Sequence, residues 1–230
     1  MIRLFVSNGL QQNKPLSLSE SHVHYLRNVM RRQVGDSILL FNGRNGEWQS
    51  TIQSLEKKSG ICLPHTQTRK QNIPKKRFLC PALIKKENMD FVFQKATELG
   101  VSDIFPLISE RTVVSKLNLE RAKSLVIEAS EQSERLTIPT VYPPQKIIEI
   151  LGKLPKDITP VCLAERGTTT NPLSKDKTYA FFIGPEGGWT PNELSVFEQN
   201  HVQFWHLGTT ILRAETASIA ALSCAVFCLD

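Results

Sequence analysis

The stretch Tyr179-Ala-Phe-Phe-Ile183-Gly184-Pro185-Glu186-Gly187-Gly188 reads as a buried apolar strand that breaks at once into a glycine-rich turn. A helix start follows: Thr190 as N-cap, Pro191 at the first helical position and Glu193 closing a Thr-x-x-Glu capping box. The pattern then recurs. Val202-Gln-Phe-Trp-His-Leu207 is a second apolar run, and it opens into Gly208-Thr209-Thr210-Ile211-Leu212-Arg213-Ala214-Glu215-Thr216-Ala217. Two strand ends, each leading through a glycine-bearing loop to a helix, place backbone donors where open α/β sheets bind ligands. Neither loop is the dinucleotide GxGxxG or the phosphate-cradling GxxxxGK(S/T), so neither of those mechanisms transfers. Apolar Ile211 and Leu212 in a connector suit a flat, mostly apolar ligand such as an adenine ring. Arg213 cannot act as a base but can stabilise developing negative charge; its plainer alternative is a surface ion pair with Glu215.

Working outward from this pair of loops, residues 78–230 alternate between strand and helix patterns. Strands are expected at 78–84, within 101–108 and at 160–164, with helices at 88–99, 119–135 and 145–151. Gly100 is placed to end the first of these helices. Such alternation argues for a mostly parallel α/β sheet. Residues 1–70 read differently. Short strands at 2–7, 37–41, 47–55 and 60–63 surround one amphipathic helix at 22–30, whose apolar face is Val23, Leu26, Val29 and Met30. The turn Asn42-Gly43-Arg44-Asn45-Gly46 has hairpin chemistry. A small β-barrel or sandwich is the expected form. The polar, basic segment 71–77, broken by Pro74, is the expected linker between the two domains.

Charge is unevenly shared. Residues 1–77 carry 13 Lys/Arg against four Asp/Glu, while residues 78–230 carry 15 against 18. A basic amino-terminal third joined to a slightly acidic remainder points to a module that binds a polyanion, nucleic acid first. Arg3, Arg27, Arg31, Arg32, Lys75, Lys76 and Arg77 are the candidate phosphate contacts, which would position RNA without reading its sequence. Phe41, Trp48 and Trp205 have the chemistry to stack on bases, although core packing explains each as well. His22 and His24 read as fold or surface histidines.

The five cysteines, at 62, 80, 162, 224 and 228, include no CxxC pair and no histidine at metal-ligand spacing. Free thiols in apolar runs behave as small hydrophobes, which fits a reducing, cytoplasmic setting without metal. The amino terminus does not look like a signal peptide, and no apolar stretch approaches the ~18–20 residues of a membrane span.

The quoted residues resemble a known family. Phe182-Ile-Gly-Pro-Glu-Gly-Gly188, Leu207-Gly208 and Ile211-Leu-Arg-Ala-Glu-Thr-Ala217 are similar to bacterial small-subunit ribosomal RNA methyltransferases that modify ring N3 of a uridine, members of the SPOUT superfamily. Lys95-Ala-Thr97-Glu98-Leu-Gly100-Val101, Glu110-Arg111-Thr-Val-Val114 and Glu128-Ala-Ser-Glu131-Gln132 resemble its other blocks. His24-Tyr-Leu-Arg27-Asn-Val-Met-Arg31 and Val34-Gly35-Asp36 resemble its PUA-like RNA-binding domain. The chain departs at Ser133-Glu134-Arg135-Leu136, where the family usually has Cys-Gly-Arg-Asn.

The resemblance implies an amino-terminal PUA-like β-barrel, a trefoil-knotted α/β methyltransferase domain and a homodimer. It implies S-adenosylmethionine as cofactor, held by Phe182, Ile183, Gly184, Pro185, Glu186, Gly187, Gly188, Leu207, Gly208, Ile211, Leu212, Thr216 and Ala217. Arg111 and Arg135 join the RNA contacts, and Arg213 would stabilise charge on the uracil. The proton acceptor stays open between Glu186, Glu215, Glu98 and water. Ribosomal RNA or the small ribosomal subunit would be the partner. Competing readings are a related knotted enzyme with another RNA target and a non-catalytic RNA-binding homodimer; an oxidoreductase is disfavoured for want of a dinucleotide fingerprint.

Overall fold

The ten lysines and arginines of residues 1–70 must be arranged around a core that is itself apolar. The computed structural model describes residues 1–164 and 174–229, the side chains of the last two excepted. The chain divides into two units, Met1–Ile73 with Ser130–Ile138, and Pro74–Ala129 with Pro139–Asp230. Residues 130–138 depart from the expected division, because they pack with the amino-terminal unit rather than with the α/β unit.

The first unit is a curled, mixed five-stranded sheet in the order β1-β3-β4-β5-β2. Its strands are β1 (Arg3–Phe5), β2 (Leu16–Ser17), β3 (Ser37–Phe41), β4 (Glu47–Leu55) and β5 (Gly60–Arg69). β1 runs parallel to β3, and the other pairings are antiparallel. The β3–β4 turn is closed by Asn42, whose Oδ1 accepts from the amides of Arg44 at 3.0 Å and Asn45 at 2.8 Å. Gly46 must be glycine: it sits at φ 75°, and a Cβ there would lie 2.2 Å from the Arg69 carbonyl oxygen. Leu4, Ile38, Leu40 and Ile52 from the strands, with Val6 just past β1, cluster with Val23 and Leu26 of the one helical segment to form the core.

That helix, α1 (Glu20–His24), runs straight into a π turn at Tyr25–Val29. A π turn takes up an extra residue, so the 3.6-residue face predicted from sequence slips out of phase. Val23 and Leu26 are fully buried, whereas Val29 is 57% and Met30 37% exposed.

Arg3 is where the structure overturns the sequence reading most plainly. Its Nε lies 2.6 Å from Glu47 Oε2, its Nη1 donates to the Ser130 carbonyl at 3.0 Å, and its Nη2 donates to the Arg135 carbonyl. The guanidinium carbon also sits 3.7 Å from the centroid of the Phe41 ring. Burial is the largest influence on this guanidinium and pulls its pKa down, against the hydrogen bond and charge of Glu47. Arg3 is therefore not a phosphate contact. It is the clasp that ties β1, β4 and residues 130–138 together, with the amide of Phe5 donating to Glu131 Oε1 at 2.8 Å alongside it. In the same segment Glu134 stands where the family usually has Gly, and it adopts φ 56°, the left-handed region that glycine enters without cost.

The second unit is a six-stranded parallel sheet in the order β11-β9-β10-β6-β7-β8. The strands are β6 (Phe78–Pro81), β7 (Asp103–Ile104), β8 (Thr140–Val141), β9 (Ile158–Leu163), β10 (Thr178–Ile183) and β11 (Gln203–Trp205). The helices are α2 (Lys86–Glu98), α3 (Leu119–Gln132), α4 (Ile147–Lys153), α5 (Pro191–Gln199) and α6 (Ala214–Leu229). Two-residue β8 has no signal in the sequence. Phe78, Cys80, Ala82, Phe105, Cys162, Phe182 and Phe197 belong to one continuous core. Cys62, Cys80 and Cys162 are free; the side chain of Cys228 lies outside the described residues. Burial pushes the Cys62 thiol up to about 12, and it raises Cys80 and Cys162 as well, with the charges of Asp103 and Glu193 adding to the effect. Among the described residues no helix is long and apolar enough to cross a membrane.

Replacing Arg3 with Ala takes the closest cation from the buried Glu47 carboxylate, leaving it the Thr68 hydroxyl at 2.9 Å and the half-exposed Arg69 guanidinium at 3.9 Å. Urea denaturation should show a loss of about 3–5 kcal/mol, the scale for breaking a buried pair. A loss below about 1 kcal/mol, the scale of an exposed pair, would contradict the clasp.

Candidate functional site

Register decides where the site lies. Ile183 at the end of β10 pairs with Leu163 of β9 and with Pro81 of β6, and Trp205 at the end of β11 pairs with that same Leu163. Three neighbouring parallel strands, β11, β9 and β10, therefore finish at one level. Leu163 and Ala164, with the segments that follow β10 and β11, line a cavity of about 490 Å³. That volume falls within the ~300–1,000 Å³ typical of small-molecule and cofactor sites.

The first loop is built to stay rigid. Gly188 N donates to Pro185 O at 2.9 Å, closing a turn in which Gly188 has φ 67°. A Cβ on Gly184 would come within 3.1 Å of the Trp189 ring, and one on Gly187 within 3.2 Å of Arg111 Cβ. Trp189 is itself fixed by donating Nε1–H to the Leu163 carbonyl at 2.9 Å, which ties the loop to the end of β9. The predicted capping box at α5 is present. Thr190 Oγ1 accepts from the Glu193 amide at 3.2 Å, and Glu193 Oε2 accepts from the Thr190 amide at 2.9 Å. The other carboxylate oxygen of Glu193 accepts from the Glu110 amide at 2.9 Å. One buried glutamate thus secures both the helix start and the loop that follows β7. From that loop Arg111 reaches across and donates to the Gly187 carbonyl at 2.7 Å.

The second loop supplies the opposite wall. Gly208 has φ 112°, and a Cβ there would meet nothing within 4 Å, so it is held by conformation rather than by crowding. Ile211 lines the cavity while 69% exposed, leaving apolar surface at its mouth. Arg213 lines it too, and its carbonyl accepts from the Ala217 amide at 2.8 Å in the first turn of α6.

Most residues expected to hold a cofactor do meet here: Ile183 to Gly188, Leu207, Gly208, Ile211, Leu212 and Ala217 all line the cavity. Phe182 does not, because alternation along β10 turns its ring into the core against Phe197. Thr216 is absent from the wall as well. Of the carboxylates considered as proton acceptors, Glu186 is on the wall. Glu215 is not, and its Oε2 is buried without a hydrogen-bond partner. Glu98 is engaged by Lys95 at 2.7 Å. Arg111, expected as an RNA contact, lines this cavity.

Sequence reading missed Leu163, Ala164, Trp189 and His206 on the wall. Leu163 ends β9 and Ala164 follows it, as Ile183 ends β10 and Gly184 follows it, so once the strands were placed side by side their position was available. His206 directly follows β11, with Nδ1 3.3 Å from the Gly208 carbonyl oxygen. Among the described residues no group of three or more His, Cys, Asp or Glu is arranged to hold a metal.

The basic residues divide by exposure. Arg27 and Arg31 are exposed, as are Lys75 and Lys76, while Arg32 is half-buried with Asp36 at 3.8 Å. Arg77 and Arg135 are half-buried as well, and the Arg77 backbone is bonded to Ser102.

Comparison with known proteins adds to this geometry. A family model described as an RNA methyltransferase domain matches residues 71–226, and one described as an RNA methyltransferase PUA domain matches residues 18–64. A protein of Rickettsia conorii named ribosomal RNA small subunit methyltransferase E is 34% identical, over 96% of this chain and 93% of its own length. A crystal structure of a ribosomal RNA small subunit methyltransferase E from Neisseria gonorrhoeae, bound to S-adenosyl methionine, has a TM-score of 0.89 at 32% identity, covering 98% of this chain and 96% of that one. A putative methyltransferase from Legionella pneumophila, solved in complex with SAM, has a TM-score of 0.88 at 29% identity, covering 96% and 95%.

Glu193→Ala removes the acceptor of two backbone amides at once. Each buried donor left unpaired costs about 1–3 kcal/mol, so thermal unfolding should shift clearly downward; an unchanged melting temperature would show that neither loop depends on this carboxylate.

Proposed function

Since this chain belongs to the RNA methyltransferase family, among relatives named ribosomal RNA small subunit methyltransferase E, we propose that it is an S-adenosylmethionine-dependent methyltransferase of small-subunit ribosomal RNA, acting on ring N3 of a uridine. The observation that carries the cofactor is the convergence of three parallel strand ends on one cavity walled by glycine backbone and apolar side chains. A nucleoside with a short charged tail fits such a wall. Backbone groups at Gly184, Gly187, Gly188 and Gly208 can approach it closely, and Leu207, Ile211 and Leu212 offer apolar surface to its ring. The bound cofactor supplies an activated methyl group.

The rest falls to the protein. Its first task is alignment, which can contribute ~7–11 kcal/mol when the reacting atoms are held in line. Arg213, on the wall at the start of α6, stabilises negative charge that develops on a uracil oxygen as the N3 proton leaves. Glu186 and His206 are the side chains on the same wall able to accept that proton. The methyl group passes to N3, the proton passes to one of these groups or to water, and S-adenosylhomocysteine is the other product.

Arg27, Arg31, Lys75 and Lys76 are the exposed cations that would hold the RNA backbone. The same reading carries a homodimer, favoured by the apolar surface at Ile211 and Phe227, 69% and 82% exposed. It also carries a threaded carboxy-terminal segment, favoured by the return of α6 onto β10 and β6 after β11 has paired at the far side of β9. A cytoplasmic location belongs to the same proposal.

Nucleoside mass spectrometry of small-subunit RNA tests the chemistry. A strain lacking the protein should lose one N3-methyluridine and regain it on complementation; an unchanged nucleoside profile would overturn the assignment. Arg213→Ala should lower kcat by about 100-fold, the scale of one lost charge-stabilising donor, with cofactor affinity nearly intact. A loss confined to cofactor binding would refute its role. RNA affinity should fall steeply between 50 and 200 mM salt if several phosphates are contacted, and indifference to salt would count against the cationic surface.

A further inference from the structure

A second hollow, of about 230 Å³, opens beside β6, the strand next to β10. Its floor is apolar: Leu83, Met89 and Phe93 are buried at 2%, 3% and 0% exposure. Its rim is cationic, with Lys86, Lys116 and Arg121 against the single acid Asp90. Arg121 is not free to wander. Asp90 Oδ2 accepts from its Nη2 at 2.7 Å and from its Nε at 3.1 Å, so the guanidinium plane is fixed at the edge of the hollow. Lys86 lies 3.8 Å from Asp90. The rim carries more positive charge than Asp90 neutralises.

One loop serves both cavities. Residues 109–118 begin with a closed turn in which Ser109 N donates to Thr112 Oγ1 at 3.0 Å. Arg111 of that turn is part of the wall of the larger cavity. Val114, Lys116, Leu117 and Asn118 then line the smaller one, and Asn118 caps α3 by accepting from the Arg121 amide at 3.0 Å. Both cavities therefore open beyond the carboxyl ends of neighbouring strands of the same sheet, joined by a single segment of backbone.

From this arrangement we propose that the hollow lined by Leu83, Met89, Phe93, Val114 and Leu117 is a nucleotide subsite for the RNA strand, taking the base of a residue flanking the methylated uridine. Its volume lies below the ~300–1,000 Å³ of sites for larger ligands, which matches a single base. Single-stranded RNA is recognised by splaying bases onto apolar, aromatic or guanidinium surfaces, and here the half-buried Val114 and Leu117 supply the first and Arg121 the last. Lys86 and Lys116 stand at the rim where the phosphate of that nucleotide would pass. A base seated here would draw the strand across the 109–118 loop and toward Arg213. The inference rests on the methyltransferase reading above.

The test compares Val114→Trp, which fills the hollow without changing charge, and Lys116→Ala with the parent protein. Lys123→Ala, at an exposed position of α3 outside both cavities, serves as the charge control. Steady-state methylation of small-subunit RNA and calorimetric titration with S-adenosylhomocysteine are measured for each. The subsite requires kcat/KM for RNA to fall about tenfold in Val114→Trp, the scale of one lost base contact, and to fall in Lys116→Ala beyond the control. Affinity for S-adenosylhomocysteine should stay at the parent's value in all three. Variants that methylate like the parent would overturn the subsite while leaving the enzyme reading intact. A parallel loss of S-adenosylhomocysteine affinity would also overturn it, by placing the effect in the shared loop. A parent protein that neither binds S-adenosylhomocysteine nor methylates RNA would instead overturn the reading on which the subsite rests.

Discussion

Strand β10 lies between β9 and β6 in parallel register, and it stops at Ile183 level with Leu163 on one side and Pro81 on the other. A parallel strand cannot end beside another without leaving backbone groups beyond the last ladder bond, and those groups must be met by loops, helix starts or a ligand. Everything functional in the α/β unit follows from that shared end-point. The turn after β10 is tied to β9 through Trp189, Ala164 just past β9 is tied to β11 by its amide bonding the Trp205 carbonyl at 2.9 Å, and α6 begins where the loop after β11 closes. The glycines at 184, 187 and 188 allow these ties to be short.

Rigidity at the site is purchased with buried polar chemistry rather than apolar packing alone. Glu193 is 5% exposed, and it bonds the Thr190 and Glu110 amides. An acid in that position would be costly without its donors, and its donors would be costly without it. The amino-terminal unit repeats the principle with opposite polarity: Arg3, at 8% exposure, is satisfied by Glu47 and by carbonyl groups of residues 130–138. In both cases the charged group is a joint between segments distant in sequence.

How much of this was legible beforehand depends on whether the signal was local. The strand-to-helix turn at 179–193 announces itself through apolar run, glycines, proline and capping box, and each of those marks is realised. The wall residues Leu163 and Ala164 carry no local mark, because what places them is the register of β9 against β10. His206 and Trp189 were obscured for the same reason. Arg3 was misread because a basic residue in an amino-terminal strand looks like surface until its partner, Glu47, is known to lie across the sheet. Val29 and Met30 were misread because a π turn shifts helical phase without any sequence sign of its own. The departure at Ser133–Leu136 became intelligible only from the backbone: Glu134 takes a left-handed conformation, and its carbonyl accepts from Arg69 at 2.8 Å.

The central claim is that the ends of β9, β10 and β11 together form the cofactor cavity. Calorimetric titration of the protein with S-adenosylhomocysteine tests it most directly, with Ala217→Trp as the partner variant, since Ala217 lines the cavity from the first turn of α6. The account requires one ligand bound per chain in the parent and none in the variant, with both folded by circular dichroism. No binding to the parent, or undiminished binding to Ala217→Trp, would contradict it.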